Sequence, residues 1–241
     1  KKKIRKFSYG FSQGANLRAV NIRTESKGCI FDVELDIVGA PDLIRDVSLP
    51  MFGLHNITNA LATMAVGFGL GFTPEKIIYS LANFKGVKRR LTVTGVVNDV
   101  VVIDDYGHHP VEIKATIQAV ADMRKAKSGE GNLIVIIQPH RYSRVKDLFA
   151  DFARCLGGAD RVFLGDIFAA GEEPIEGITK ESLAAEMRKH GQENVCLIED
   201  WEQLDKALEG YISKGDIIVC LGAGNITKYA NELPAKLTKI M

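Results

Sequence analysis

Residues 99–124 read DVVVIDDYGHHPVEIKATIQAVADMR, and no other stretch says more about the fold. A Val-rich apolar run predicts a strand that ends at Ile103, and the pattern from Pro110 to Arg124 predicts a helix. Acids, a tyrosine and two histidines lie between them. A strand followed directly by a helix is half of a βαβ unit. The ionisable residues therefore fall at the carboxyl end of a strand, where open α/β sheets bind ligands.

The same alternation continues to the end of the chain. Apolar runs predict further strands, a Val-rich strand at 92–97 precedes the first one, and the stretches between them predict helices. Strands that alternate with helices favour a mostly parallel sheet with both faces covered, so we predict an α/β fold. The predicted strands are 132–137, 160–164, 195–198 and 216–221, and the predicted helices are 110–124, 144–156, 179–190, 201–209 and 224–232.

Residues 1–91 have a different pattern. Alternating apolar and polar residues predict strands at 15–23 and 28–35, with a hairpin turn between them. Helices are predicted at 56–69 and at 74–83, the second with Thr73 as its N-cap and a proline in its first position. We place a domain boundary near residue 91, which gives domains 1–91 and 92–241.

Bulk composition excludes several classes of protein. The 241 residues carry a formal net charge of +1, which gives no electrostatic reason to expect nucleic acid as a partner. No apolar run approaches the roughly 18 residues that cross a bilayer, and no signal peptide is visible. The four cysteines lack C-x-x-C spacing and predict reduced core thiols in a cytosolic protein. We interpret the basic start, Lys1–Lys6, as a solvated chain end.

Residues 104–110, DDYGHHP, form the first candidate site. A carboxylate at a strand end suits a ribose hydroxyl, and a nearby histidine can act as a general base near neutral pH. Adjacent histidines on an extended chain point in different directions, so a joint metal site is not expected. The alternative is a helix-capping turn with surface histidines.

Residues 138–144, QPHRYSR, form the second candidate site. Arg141 and Arg144 lie three residues apart at the start of a predicted helix, where guanidinium groups and backbone amides together bind anions. The alternative is a pair of solvated arginines, although the helix dipole disfavours arginine in a first turn. Both candidate sites follow strands, which indicates one site for an anionic or phosphorylated substrate.

Two weaker motifs remain. Residues 222–225, GAGN, resemble half of a dinucleotide fingerprint, but the third glycine and the later acid are missing, and a tight turn explains them equally well. Asn56 and Asn59 share a helix start, where asparagines either cap the helix or bind an adenine edge. The sequence contains neither a Gly-x-x-x-x-Gly-Lys-Ser/Thr phosphate loop nor a Gly-x-Ser-x-Gly elbow.

In combination these motifs resemble the Mur ligase family, in the family's order and spacing. The resemblance implies a Rossmann-like C-terminal domain at 92–241, preceded at 1–91 by the back part of the family's central ATP-binding domain. It also implies that the UDP-binding domain and the phosphate loop are absent, so we expect a fragment that is inactive alone. The matching stretches are 55–60, 86–90, 104–110, 138–144, 170–175 and 222–225.

The resemblance further implies an ATP-dependent ligase, in which ATP phosphorylates a carboxylate and an amine then attacks the acyl phosphate. The Gln-Pro-His-Arg-Tyr run at 138–142 points to the member that joins L-alanine to UDP-N-acetylmuramate for peptidoglycan synthesis. The implied partners are UDP-N-acetylmuramate, L-alanine and ATP, with Mg²⁺ bound by the missing part. Neither nucleic acid nor a membrane is implied.

Residue roles also carry over from the resemblance, by position, and no residue of this chain is implied as a metal ligand. The implied roles are adenine contact for Asn56 and Asn59, ATP phosphate contact for Arg90, ribose contact for Asp105, catalysis for His108, Arg141 and Arg144, and substrate binding for Tyr106, His140 and Ala223.

Three alternatives stay open. The family member that recycles murein tripeptide shares the Gly-x-Gly-Asn ending, but we expect it to differ at 138–144. A catalytically incomplete Mur-like binding module would explain the missing phosphate loop, although it has no physical need for an acid, a histidine and two arginines together. A nicotinamide-dependent dehydrogenase rests only on the Gly-x-Gly turn.

Overall fold

The computed structural model describes residues 6–126 and 131–240. Lys6 is exposed, and the rest of the basic start that we interpreted as a solvated chain end lies outside the described residues. The chain forms two compact units, Lys1–Gly86 and Val87–Met241.

The first unit is a four-stranded sheet with two helices. Its strands occur in the order β1-β2-β3-β4, with β1 and β2 parallel and the others antiparallel. The core includes Phe31 of the sheet and Ile57, Leu61 and Met64 of the first helix, none of which is exposed. The elements are β1 (Tyr9–Gly10), β2 (Leu17–Glu25), β3 (Gly28–Leu35), β4 (Leu43–Leu49), α1 (Leu54–Gly69) and α2 (Pro74–Ala82).

The predicted start of α2 is confirmed. The Thr73 hydroxyl accepts a hydrogen bond from the backbone N–H of Lys76 at 3.4 Å, and Pro74 occupies the first helical position. Proline suits this position because its missing N–H would have no partner inside the helix.

The second unit is a six-stranded sheet with helices between its strands, which confirms the predicted α/β class. Five strands are parallel, and β5 is antiparallel to β6 at one edge. The elements are β5 (Thr92–Val97), β6 (Val100–Asp105), α3 (Pro110–Ala126), β7 (Leu133–Ile137), α4 (Tyr142–Asp147), α5 (Phe149–Arg154), β8 (Arg161–Leu164), α6 (Lys180–Lys189), β9 (Val195–Leu197), a 3-10 helix (Trp201–Gln203), α7 (Leu204–Leu208), β10 (Ile217–Leu221) and α8 (Ile226–Leu237).

The strand order β5-β6-β10-β7-β8-β9 places the last strand between β6 and β7. All residues of β6, β7 and β10 are buried, which explains why these strands are apolar without alternation, apart from Asp104 and Asp105 at the end of β6. The sheet order changes direction here, and ligands of open α/β sheets bind at such a switch point.

Two helix predictions differ from the structure. The single helix predicted at 144–156 is wrong, because the chain leaves the helical conformation at Leu148 (φ −117°, ψ 25°). Periodicity missed the break because Val145 and Phe152 lie two turns apart, and both are buried as in one helix. The helix predicted at 201–209 begins as a 3-10 turn.

The two units divide after Gly86, five residues before the predicted boundary. Residues between 87 and 91 form hydrogen bonds within the second unit. The Arg89 carbonyl accepts the N–H of Tyr106 at 2.8 Å, and the N–H of Leu91 donates to the Asp105 carboxylate at 2.9 Å.

Candidate functional site

Three strand ends meet at one edge of the sheet in the second unit. Leu221 of β10 is in register with Asp105 of β6 and with Ile137 of β7. The N–H of Gly222 donates to the Asp105 carbonyl at 3.2 Å, and the N–H of Gln138 donates to the Leu221 carbonyl at 3.0 Å. The three motifs that follow these strands, at 104–110, 138–144 and 222–225, therefore form one site.

Asp105 anchors the first of these loops. Its Oδ2 accepts the N–H of Leu91 at 2.9 Å, and its Oδ1 accepts the N–H of Gly107 at 2.8 Å and the hydroxyl of Thr116 at 3.1 Å. The residue is only 2% exposed. Because the carboxylate is buried and has three donors within the chain, we propose that it also positions this loop. The ribose contact of Asp105 stays a prediction.

Arg89, which was not among the predicted site residues, connects two of the loops. Its Nη2 donates to the carbonyls of Gly222 and, at 3.4 Å, of Gly224, and its Nε lies 3.7 Å from Asp104 Oδ2. Asp104 also accepts the Thr227 hydroxyl at 2.6 Å. Burial raises the pKa of the Asp104 carboxyl, against the opposing effects of Thr227 and Arg89.

Tyr106 lies beside two guanidinium groups. The Cζ atoms of Arg89 and Arg90 are 4.8 Å and 5.9 Å from the centre of its ring, within the range of cation–π attraction. Arg90 and Tyr106 are both exposed, which leaves both side chains available to a ligand.

His108 has an acidic neighbour on the following helix. Its Nδ1 lies 3.1 Å from the Tyr106 carbonyl and 3.5 Å from Glu112 Oε2. Glu112 also accepts the backbone N–H groups of His108 and His109, at 3.2 Å and 3.3 Å. Burial opposes ionisation of Glu112, but these donors together with the cationic groups of His108 and Arg90 lower its pKa.

His140 is enclosed by an aromatic ring and a guanidinium. It stacks on Phe168 with ring centres 5.4 Å apart, and its Nδ1 lies 3.3 Å from Arg144 Nη1. The ring of His108 is 5.8 Å away. Partial burial, followed by the positive charge of Arg144, lowers the pKa of His140.

Arg141 occupies the turn into α4 with a φ of +72°, a conformation that is uncommon for residues other than glycine. Its backbone is fixed because its N–H donates to the Phe168 carbonyl at 2.8 Å. Glu172 accepts the N–H and the hydroxyl of Ser143, at 2.9 Å and 2.6 Å. The Ser143 hydroxyl, with the N–H second, lowers the pKa of Glu172. The exposed Arg141 side chain makes no ion pair within the described residues.

The glycine loop at 222–225 packs closely against Gln138 and Phe168. A Cβ on Gly222 would lie 2.7 Å from the Gln138 carbonyl, and one on Gly224 would lie 2.3 Å from Gln138 Oε1 and 2.7 Å from the Phe168 ring. Gln138 also accepts the N–H of Ile226 at 3.2 Å at the start of α8. Packing explains both glycines without a ligand, and Ala223 between them is half-buried.

The first unit carries the two predicted adenine contacts on α1. Asn56 is buried, and its Nδ2 donates to the Phe52 carbonyl at 2.8 Å. Asn59, one turn later, is exposed. Asn56 therefore hydrogen-bonds to the backbone just before α1, whereas the side chain of Asn59 is accessible to a ligand.

The second unit thus brings together eight of the predicted site residues and adds others that sequence reasoning missed. Glu112 has a usable signal, because it lies four residues after His108 at a helix start, where an acid is favoured. Arg89 and Phe168 have none, since their roles depend on loops that are distant in sequence. The predicted residues that meet there are Arg90, Asp105, Tyr106, His108, His140, Arg141, Arg144 and Ala223.

The cysteines, the metal-ligating side chains and the helix lengths concern the class of protein. Cys155 and Cys220 are buried thiols, and burial raises the pKa of Cys155 to about 12. Within residues 6–126 and 131–240, no three His, Cys, Asp or Glu side chains group as metal ligands. In the same part of the chain, no helix is both long and apolar enough to cross a membrane.

Comparison with known proteins relates this site to a family. The profile described as "Mur ligase, glutamate ligase domain" matches residues 89–224. The UDP-N-acetylmuramate–L-alanine ligase of Rhodospirillum centenum is 47% identical over 232 residues, which are 95% of this chain and 47% of that protein. The ligase of the same name from Hyphomonas neptunium is 44% identical, over 97% of this chain and 50% of that protein. The chain spans about half the length of the curated relatives it matches.

A solved structure agrees in fold. The UDP-N-acetylmuramate–alanine ligase of Thermotoga maritima superposes with a TM-score of 0.76 at 22% identity, over 97% of this chain and 48% of that one. The match covers both compact units.

Proposed function

The chain belongs to the Mur ligase family, and from this we propose that it serves a UDP-N-acetylmuramate–L-alanine ligase. One observation carries the proposal: relatives of that name match 95% or more of the chain at 44–47% identity, across both units. We propose that residues 92–241 bind the amino acid, and that residues 1–91 are the C-terminal part of the central ATP-binding domain. The reaction uses ATP to join L-alanine to UDP-N-acetylmuramate, in the cytoplasm, for peptidoglycan synthesis.

The charges at the strand ends support this activity. Arg141 is exposed and lies at the start of α4. Arg144 is half-buried, and its Nη1 donates to the backbone carbonyl of His140, four residues earlier. Ligation through an acyl phosphate gathers several anionic groups, namely a carboxylate, a phosphate and the developing oxyanion. Guanidinium groups remain charged at any relevant pH and donate in a planar fork, which suits both carboxylate and phosphate oxygens.

The chemical step needs one base. The amine of L-alanine attacks the carbonyl carbon of the acyl phosphate, so that a C–N bond forms and the C–O bond to phosphate breaks. The proton released by the amine goes to a base, which we assign to His108 because its imidazole can accept a proton near neutral pH. Arg141 and Arg144 stabilise the negative charge of the tetrahedral intermediate and of the departing phosphate. Tyr106, His140 and Ala223 line the site of the amino acid.

We propose three residues as ATP contacts. Asn59 is the exposed amide for an adenine edge, with Asn56 behind it, and Arg90 is the exposed guanidinium for phosphate. The described residues offer no group of three metal-ligating side chains, and we assign no step to Mg²⁺ here. The sequence has no phosphate loop, so we expect the chain alone not to turn over ATP.

Two other functions remain as outcomes of a test. The family member that recycles murein tripeptide would use the same chemistry with a larger amine, and a Mur-like binding module would perform none. A binding module gives no reason for a His–Glu pair and two arginines at one strand edge. The sequence relatives named above are alanine ligases, which favours alanine over tripeptide.

Phosphate release from ATP tests the proposal. We would measure it with Mg²⁺ and UDP-N-acetylmuramate, and add L-alanine or tripeptide in turn. The samples are this chain and the same reading frame extended at its amino end. Alanine-dependent release by the extended protein alone supports the proposal, and tripeptide dependence reassigns the substrate. Absence of release from the extended protein favours the binding module.

A further inference from the structure

We infer that His108 and His140 are fixed in opposite tautomers, His108 as a proton acceptor at Nε2 and His140 as a neutral hydrogen-bond donor at Nε2. Glu112 and Arg144 are the positioning residues that enforce the two states. This deepens the proposed function, and its role in catalysis rests on that function. The tautomers themselves follow from the contacts of the chain alone.

The surroundings of His108 determine where its proton lies. Nδ1 lies 3.1 Å from the Tyr106 carbonyl and 3.5 Å from Glu112 Oε2. Both oxygens can only accept a hydrogen bond, because Glu112 is ionised at neutral pH. Nδ1 must therefore carry the hydrogen, and the lone pair of the neutral ring lies on Nε2.

The neighbour of His140 at Nδ1 is a hydrogen-bond donor rather than an acceptor. Its Nδ1 lies 3.3 Å from Nη1 of Arg144, and a guanidinium can only donate. Nδ1 must therefore carry the lone pair, and the hydrogen lies on Nε2. A second proton would have to enter at Nδ1, against Arg144. The other charged or titratable groups that act on this ring are His108, Arg141 and Glu172.

The two Nε2 atoms are the ones left for a ligand. Neither has a hydrogen-bond partner in the part of the chain that the structure describes, and neither is sealed from solvent. The ring centres are 5.8 Å apart, which is close enough for one ligand to contact both rings. A proton that enters His108 at Nε2 leaves its Nδ1 contacts intact, and Glu112 balances the new charge.

The two tautomers give His108 and His140 different roles in the acyl-transfer step. The amine proton moves to Nε2 of His108, while the Nε2–H of His140 donates to an oxygen of the intermediate and keeps its own proton. A neutral donor suits this second task because it cannot lose its hydrogen to the developing oxyanion near neutral pH.

Nitrogen NMR on this chain tests the tautomers without any substrate. We would label the histidines with ¹⁵N and record two-bond proton–nitrogen spectra at about pH 8, where histidines are mainly neutral. The signals are assigned through His108→Gln and His140→Gln. We expect the Nδ1–H form for His108 and the Nε2–H form for His140.

His109 is a matched control within the same loop. Its Nδ1 accepts the N–H of Val111 at 3.3 Å, so it should show the Nε2–H form, unlike the adjacent His108. Glu112→Gln should move His108 from one tautomer toward a mixture. If His108 of the unmodified chain shows the Nε2–H form, or His140 the Nδ1–H form, the inference is overturned.

The catalytic consequence has a separate readout. In the extended protein, we expect Glu112→Gln to lower kcat by roughly 10²-fold while the KM for L-alanine stays within about twofold. Equal losses in both parameters would indicate a merely structural role for Glu112. A failed ligase assay leaves the tautomers untouched, and a failed tautomer assignment leaves the ligase activity untouched, so the two failures are distinguishable.

Discussion

The Nε of the half-buried Arg89 lies 3.7 Å from Oδ2 of the buried Asp104, and this pair joins two of the three loops of the site. The guanidinium reaches the carbonyls of Gly222 and Gly224 from the same position. An arginine next to the division between the units is therefore part of the candidate site of the second unit, although neither composition nor spacing singles it out.

Replacing Arg89 should destabilise the second unit. Arg89→Met leaves the buried Asp104 without its cation and two loop carbonyls without a donor, so we expect the free energy of unfolding to fall by about 2–4 kcal/mol. Trp201, the one tryptophan of the chain, lies in this unit and reports its unfolding in denaturant. The control is Arg90→Met, an exposed neighbour that should change stability by less than about 0.5 kcal/mol. Equal effects would contradict the role of Arg89.

A methyl group should not fit at Gly224. The Cβ of Gly224→Ala would lie 2.3 Å from Gln138 Oε1 and 2.7 Å from the Phe168 ring, so both loops must move, at a cost of about 1–3 kcal/mol. Gly157→Ala is the matched control, because its Cβ would meet nothing closer than 3.7 Å. Denaturant unfolding measures both, and a fully stable Gly224→Ala would show that the loops are not closely packed.

His140 should make the fold sensitive to mild acid. Its pKa is lower in the folded state than its ordinary value of 6.5, so the unfolded chain binds the proton first as pH falls. The free energy of unfolding should then decrease as pH drops through 6.5 toward the folded pKa, and this contribution should be constant above that window. His140→Gln removes the group and should flatten the curve below pH 6.5. An unchanged slope would argue against a neutral His140.

Arg141 should matter for turnover rather than for folding. Its side chain is exposed and has no ion-pair partner among the described residues, so Arg141→Ala should leave the unfolding transition nearly unchanged. In the extended protein we expect turnover to fall by roughly 10²-fold or more, as expected for loss of a donor that stabilises developing charge. Lys146→Ala on α4 is an exposed cationic control and should retain activity. Near-normal turnover of Arg141→Ala would remove this residue from the mechanism.

The sequence by itself determined the class of the second unit and the position of its site. Continuous apolar runs such as Val100–Ile103 and 133–137 predict buried parallel strands, because only a strand covered on both faces lacks polar alternation. The acids, histidines and arginines after these strands indicate the functional edge for the same reason, since parallel strands have their carboxyl ends together. These signals are local and depend only on the order of residues along the chain.

Only the tertiary structure decided which of these groups are bonded within the chain. Asp105 suits a ribose by its place in the sequence, and the structure adds that its carboxylate accepts the amides of Leu91 and Gly107 and the hydroxyl of Thr116. Periodicity likewise could not show that β10 enters between β6 and β7, or that Arg89 reaches a loop more than 130 residues away. Hydrogen bonds and burial depend on distances in space, and these exist only once the sheet order is set.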